Sequence, residues 1–268
     1  MPQSLEELLA EISHLKTMAD QTKHILLFRG HAQRDWRIDS TFIRAVKAQL
    51  LGMSPTDRFS EHLRNSGDLN SMLSSLLLVK FGGLARPSAE LHTVAIDHGV
   101  DPWFELMKRY QQYPNEDMKE LKGTNLIDWS NSLDVALYFA NENRRGPGAI
   151  FVCDATATGK TLQVIPVAEI LSKIRTQLRT DVANGSPLLF SPKKQIAYTR
   201  AKNQQAVYFA QMDLRVDLLE SWRLQEATQK DEAILIKLVL PAGSESALDT
   251  YLAKSGTNRT LIYPDGEA

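Results

Sequence analysis

Three short stretches carry residue types that could do chemistry together. The first is Phe28-Arg29-Gly30, which closes the apolar run Ile25-Leu26-Leu27. An arginine at a strand end projects from a rigid element, and its planar fork suits phosphate or carboxylate. Gly30 permits a sharp turn and a close backbone approach to a ligand. The second is Asn125-Leu126-Ile127-Asp128-Trp129-Ser130, followed by a helical pattern from Leu133 to Ala140. Polar residues between a strand end and a helix N-terminus form a natural ligand site, because the amides there favour anions. Asp128 would repel a phosphate, so its expected work is binding ribose hydroxyls or holding an arginine. The third is Arg200-Ala201-Lys202-Asn203-Gln204-Gln205-Ala206-Val207-Tyr208, a polar loop that runs into a strand. From Lys173 to Lys202 stand seven basic residues and one acid, a local charge of +6 in a chain whose total is -1. That asymmetry points to a polyanionic ligand, a dinucleotide or a nucleic acid. Each stretch also has a purely structural reading. The arginine then pairs with a surface carboxylate, Asp128, Ser130 or Ser132 caps a helix over a core Trp129, and the basic run is a solvated face.

Several other chemistries are disfavoured. Gly159-Lys160-Thr161 ends like a phosphate-binding loop, but Asp154 stands where the first glycine is required. The six histidines show no paired spacing on one helix face, so no metal site is expected. Cys153 is the single cysteine, which excludes an internal disulfide or a thiolate cluster and reads as a small buried hydrophobe. No Gly-x-Ser-x-Gly elbow occurs. A near-neutral chain disfavours a protein that coats long duplex. Met1 to Lys16 is amphipathic and acidic, without the basic start and apolar core of a signal peptide. Apolar runs such as Ser75 to Val79 and Ile234 to Leu240 are far short of a membrane span. The expected address is the cytoplasm of a bacterium or its virus.

The elements that must position the three stretches follow from periodicity. Ser4 and Glu7 read as a capping box ahead of the stripe Leu5, Leu8, Leu9, Ile12 and Leu15. Ile25 to Phe28 reads as a buried strand. Helices are predicted over Thr41 to Leu51, Thr56 to Arg64, Asp68 to Phe81, Pro87 to His98 and Pro102 to Tyr113, with glycines and Pro114 between them. This block, 40–119, reads as a mainly helical insertion or subdomain. Strands are expected over Asn125 to Trp129, Ala149 to Cys153, Leu162 to Ile165, Gln205 to Ala210, Ile234 to Leu240 and Thr260 to Tyr263. Ser132 is placed to cap a helix with Leu133, Ala136, Leu137 and Ala140 on one face. Pro166 to Val182 and a segment from Ser244 or Ser246 to Gly256 complete the helices. Strands flank a helical middle and follow one another late in the chain. The expected class is α+β, in a single domain over 1–268.

Taken in order, these stretches resemble the FRG-domain family, named for its Phe-Arg-Gly triplet. The likeness covers Leu27 to Gly30 with Trp36 and Arg44, then Thr124 to Ser130 with Ala136-Leu137-Tyr138-Phe139-Ala140. It continues through Arg200 with Gln204 to Tyr208, and ends at Leu261 to Asp265. The family usually carries a Gln-His-x-Gly-x-Pro-Thr-Arg segment before the second block; Lys119 to Asn125 here lack its His, Pro and Arg. A more distant likeness is to arginine-type ADP-ribosyltransferases, whose first motif is aromatic-Arg-Gly at the end of an early strand. Their second motif, a strand with Ser or Thr before a helix carrying Ala-x-x-Phe, is similar to Asp128-Trp129-Ser130 with Ala136 to Phe139. Their third motif opens a later strand with glutamate, where this chain has Gln205, or failing that Gln204.

The likeness implies twisted, mostly antiparallel sheets split as in ADP-ribosyltransferases. It implies NAD as substrate, no metal, and a macromolecular acceptor, protein or nucleic acid, in a toxin or an anti-phage effector. Gln205, Asp128 and Ser130 would form the catalytic set. Arg29, with Gly30 and His31, would hold the pyrophosphate, Trp129 or Tyr138 would stack on a ring, and Arg200 and Gln204 would complete the cofactor site. Glutamine in place of glutamate keeps a hydrogen bond but loses charge, at a cost on the order of 3 kcal/mol of transition-state stabilisation. The competing expectations are a non-catalytic nucleotide or nucleic-acid binding module, and a phage or host interaction protein that docks through the Leu73 to Val79 run.

Overall fold

A computed structural model of the chain describes residues 4–79, 123–159, 167–180, 187–190, 199–228 and 233–264. Helix α1 (Leu5–Thr22) starts where the Ser4 hydroxyl accepts the Glu7 amide at 3.1 Å, as its sequence pattern predicts. Its apolar stripe leads to strand β1 (Leu26–His31). Five further strands follow: β2 (Leu126–Ser130), β3 (Gly148–Asp154), β4 (Leu188–Phe190), β5 (Ala206–Ala210) and β6 (Leu235–Leu240). They form one antiparallel sheet in the order β4-β5-β2-β1-β3-β6. The described residues are thus α+β, as expected.

The sheet is nearly cut in two. β1 pairs with β3 along six residues, Leu26↔Asp154 to His31↔Ala149, but with β2 at the single register pair Phe28↔Ser130. Two three-stranded halves, β4-β5-β2 and β1-β3-β6, therefore meet at one point. Backbone alternation shows what the cut leaves open. The Asn131 amide donates to Gln205 and the Gln211 amide to Asn125, so the odd residues of β2 spend their backbone groups on β5. The carbonyl of Asp128, an even residue, faces β1, beyond the point where that pairing ends.

Side-chain alternation distributes three cores. Leu27, Trp129, Phe151 and Phe209 lie on one face of the sheet, under Trp222 of helix α8 (Leu218–Glu226). The other face carries two separate clusters. Over the β1-β3-β6 half, Phe28, Ile150 and Leu238 pack against Leu8 and Ile12 of α1, Ala136 and Leu137 of α5 (Leu133–Asn141), and Leu248 of α9 (Glu245–Lys254). Over the β5-β2 side, Leu126 and Tyr208 meet α2 (Thr41–Ala45) through Phe42, α4 (Gly67–Leu78) through Leu73 and Leu77, and α6 (Val167–Thr180) through Ile170. A furrow between these two helix groups runs above the cut in the sheet.

Some elements differ from expectation. The segment predicted from Thr56 to Arg64 forms only α3 (Glu61–Asn65), because Ser60 caps it late. The polar stretch read as a loop is the short helix α7 (Thr199–Asn203). The tail is a helical turn, α10 (Arg259–Ile262), rather than the predicted strand, since the Asn258 side chain accepts the Leu261 amide at 2.9 Å. α8 and β4 were not foreseen. The helices predicted over 87–98 and 102–113, the strand over 162–165, and 80–119 of the proposed insertion lie outside the described residues. Residues 40–79 hold helical segments over 41–50, 61–65 and 67–78 with non-helical chain over 51–60; Leu73 and Leu77 are core, while Met72 and Val79 are exposed. Cys153 is fully buried in β3, and burial pushes its thiol pKa well up. Among the described residues no helix is long and apolar enough to cross a membrane.

A candidate anion-binding cleft at the cut in the sheet

Above the cut lies a cavity of about 510 Å³. Its floor is Arg29 of β1 and Asp128 of β2, one wall is α5 with Ala136 and Phe139, and the opposite wall is α2 with Thr41 and Arg44. Arg200 and Gln204, from α7 and the turn after it, close the end. The cut exists because a helix sits close against β1. A Cβ on Gly30 would fall on the Ala136 carbonyl oxygen and lie 2.7 Å from the Ala140 amide. The glycine thus serves the close approach of α5, not that of a ligand as its sequence setting suggests.

Arg29 fills the gap between the strands. One terminal nitrogen donates to the open Asp128 carbonyl, and Nε donates to His31 Nε2 at 2.9 Å. The His31 ring stands edge-on to Phe151 at 5.0 Å and to Trp36 at 6.1 Å. Because His31 accepts from a cation, it must be the neutral tautomer. Burial, and then the charges of Arg29 and Arg44, hold its pKa well below the ordinary value; a backbone group of Trp36 offsets this in part. The Arg29 guanidinium is itself pushed down to about 10 by burial and by Arg44, with Asp128 opposing. It stays charged at neutral pH.

The helix carrying Arg44 is clamped on every side. Buried Lys47 pairs with Asp39 at 2.5 Å, the Ser40 amide donates to Gln211 Oε1 at 2.9 Å, and the Phe42 amide donates to Thr124 at 3.1 Å. Gly123, with φ +108°, lets Thr41 sit where a Cβ would clash. Arg44 projects from this fixed turn into the cleft and makes no hydrogen bond or ion pair with any described residue. Burial lowers its pKa, and Asp39 and Asp128 act on it only at a distance.

At the far end, Arg200 lies over the Tyr263 ring at 4.3 Å. The Tyr263 hydroxyl donates to Glu142 at 2.7 Å, and the Tyr138 hydroxyl does so at 3.5 Å. Burial and that carboxylate raise the Tyr263 pKa. Tyr138 packs against Phe139 and Tyr263 and does not line the cleft.

The cleft brings together Arg29, Gly30, His31, Asp128, Trp129, Ser130, Arg200 and Gln204, but neither Tyr138 nor Gln205. Gln205 is exposed, with φ +46°, because the turn leaving α7 needs a left-handed residue there and swings its side chain outward. Gln204 takes the buried place; its amide nitrogen donates to Ile262 at 3.2 Å. Ser130, offered as catalytic, is a structural tie: its hydroxyl donates to the Gln204 carbonyl at 2.7 Å and accepts the Ser132 amide at 2.9 Å. Trp129 is 2% exposed and packs edge-on to Trp222 and Phe209, so no open ring face is offered for stacking. Glu226 accepts the Ile234 and Leu235 amides, away from the cleft. Sequence reasoning missed Arg44, Phe139, Glu142 and Tyr263 as site residues. Three of them stood within the quoted likeness, Arg44 after the Phe-Arg-Gly triplet, Phe139 in Ala-x-x-Phe and Tyr263 in the tail block, whereas Glu142 carried no signal. Among the described residues no group of three His, Cys, Asp or Glu side chains could hold a metal ion.

No family model matches the chain, and no curated protein or solved structure matches it. The likeness to FRG domains and ADP-ribosyltransferases rests on the residues quoted above.

Proposed function

We propose that the cleft binds NAD and that the chain cleaves it, transferring ADP-ribose to a macromolecular acceptor or to water. The observation that carries this reading is the position of Arg29. The arginine of the first stretch sits on the floor of the cavity, bonded to the second stretch, and faces residues of the third. Arginine-lined concavities suit a diphosphate, which offers paired oxygens to each fork. In the reaction the bond from ribose C1′ to nicotinamide breaks, and its electron pair leaves with nicotinamide. The ribose carbon becomes cationic, and the acceptor attacks it and sheds a proton. A nearby carboxylate stabilises that charge. Asp128, on the floor of the cleft beside Arg29, is assigned the role.

The test is nicotinamide release from NAD, with and without cell extract as a source of acceptor. Asp128→Asn should slow release by about 100-fold or more. Gln205→Ala, at an exposed position outside the cleft, should leave it within about threefold of wild type, since surface changes are usually near neutral. Unchanged release by Asp128→Asn would remove that residue from the mechanism.

A second reading, binding without cleavage, is favoured by Gln204. The cleft residue nearest the expected glutamate position is a carboxamide already bonded to Ile262, which adds no charge. NAD binding by wild type with no nicotinamide released under any condition would select it.

A further inference from the structure

We propose that Arg44 and Arg29 form a two-arginine clamp for a diphosphate, and that Arg44 sets the preference for two phosphates over one. The inference rests on the cleft being the ligand site, and adds a residue and a selectivity to it.

A guanidinium carries five N–H donors, and a sheltered charge without partners is costly unless something else supplies them. Arg29 has spent part of its fork on Asp128 and His31. Arg44 has spent none of its own on any described residue. The other charged side chain of that segment, Lys47, is held by Asp39 and by the Asp57 carbonyl at 2.9 Å. A helix this tightly clamped does not leave Arg44 in the cleft for want of a better place. The bonds at Ser40, Phe42 and Lys47 hold the backbone, so Arg44 is delivered there preorganised.

The two guanidiniums are close enough that each depresses the charging of His31, and Arg44 that of Arg29. Like charges held together without a ligand repel, and an anion between them relieves this. A single phosphate can satisfy one fork. Two forks in one cleft, Arg29 from the floor and Arg44 from the α2 wall, match two linked phosphates. His31 contributes by staying neutral: it takes one Arg29 donor and turns the rest of the fork toward the cavity.

The test is equilibrium binding by calorimetry with pyrophosphate, ADP, AMP and adenosine as probes. Pyrophosphate and ADP should bind, AMP about tenfold or more weaker than ADP, and adenosine not measurably. Arg44→Ala should weaken ADP by about thirtyfold or more while leaving AMP within about threefold, because it removes one of two charged partners. Arg44→Lys should recover part of the loss. Thermal melting separates this role from a structural one: an arginine that bonds to no described residue can be removed without loss, so Arg44→Ala should melt at or above the wild-type temperature. If Arg44→Ala fails to fold, Arg44→Met keeps the stem, and it should lose ADP selectivity in the same way. ADP binding unchanged in a folded Arg44 variant, equal affinity for ADP and AMP in wild type, or lowered melting in both Arg44→Ala and Arg44→Met would each overturn the clamp. Arg44-dependent ADP binding in a protein that never releases nicotinamide supports the clamp and counts against NAD cleavage. Nicotinamide release that ignores Arg44 does the reverse.

Discussion

At the scale of single residues, position was more legible than role. Arg29 and Asp128 could be singled out from the sequence as polar groups at strand ends, and both line the cleft, although each also had a structural reading. Gln204 and Gln205 could not be told apart, because the choice depends on one backbone angle, φ +46° at Gln205. Ser130 shows a related ambiguity: a hydroxyl that ties a strand to a turn looks in sequence like one that meets a substrate. His31 supports a prediction about acid. Its folded pKa lies well below 6.5, mainly through burial. Below pH 6.5 the unfolded chain therefore takes up a proton that the folded protein refuses, so stability is lost as pH falls. Stability followed from pH 7 to pH 5 should fall as pH passes below 6.5, by up to about 1.4 kcal/mol per pH unit through this group, with the melting temperature falling alongside. The same scan on His31→Gln should lose that part of the slope. A wild-type melting temperature that stays level over the range would contradict the assignment.

At the scale of elements, local signals were read well where the physics is local. Ser4, Ser132 and the apolar stripes of α1 and α5 placed those helices, since capping and a 3.6-residue period need no partner. The short pieces went astray. α7 and α10 have five and four residues, too few for a period to show, and β4 exists only because β5 is there to pair with. Gly30 lies between the two cases. Its sequence setting marks a close approach, but only the fold says that the visitor is α5. Gly30→Ala should force that helix off β1 and cost roughly 3 kcal/mol, with NAD binding lost alongside, because α5 is a wall of the cleft. Gly67→Ala is the matching control. It opens α4, a Cβ there meets nothing within 4 Å, and it should stabilise by up to about 1 kcal/mol. Urea denaturation of both variants checks this; equal stabilities would mean that α5 does not depend on the missing Cβ.

At the scale of the whole molecule, the α+β class followed from composition and strand spacing, whereas the cut between β1 and β2 did not. Strand patterns say which residues pair somewhere, not where a pairing stops, and the single contact Phe28↔Ser130 is set by how α5 and α2 crowd the two halves. The cut nonetheless explains why three stretches far apart in sequence share one cavity: each lies on an element that borders it. A ligand in the cleft touches both halves, so it should stabilise the fold by mass action, by about 2.7 kcal/mol at a hundred times its dissociation constant. The most direct measurement is calorimetric titration of NAD into wild type, Arg29→Ala and Gln205→Ala, with all three shown to be folded. Saturable binding by wild type and Gln205→Ala, and none by Arg29→Ala, is the predicted result. No heat from wild type at millimolar NAD, or equal affinity in all three proteins, would contradict it.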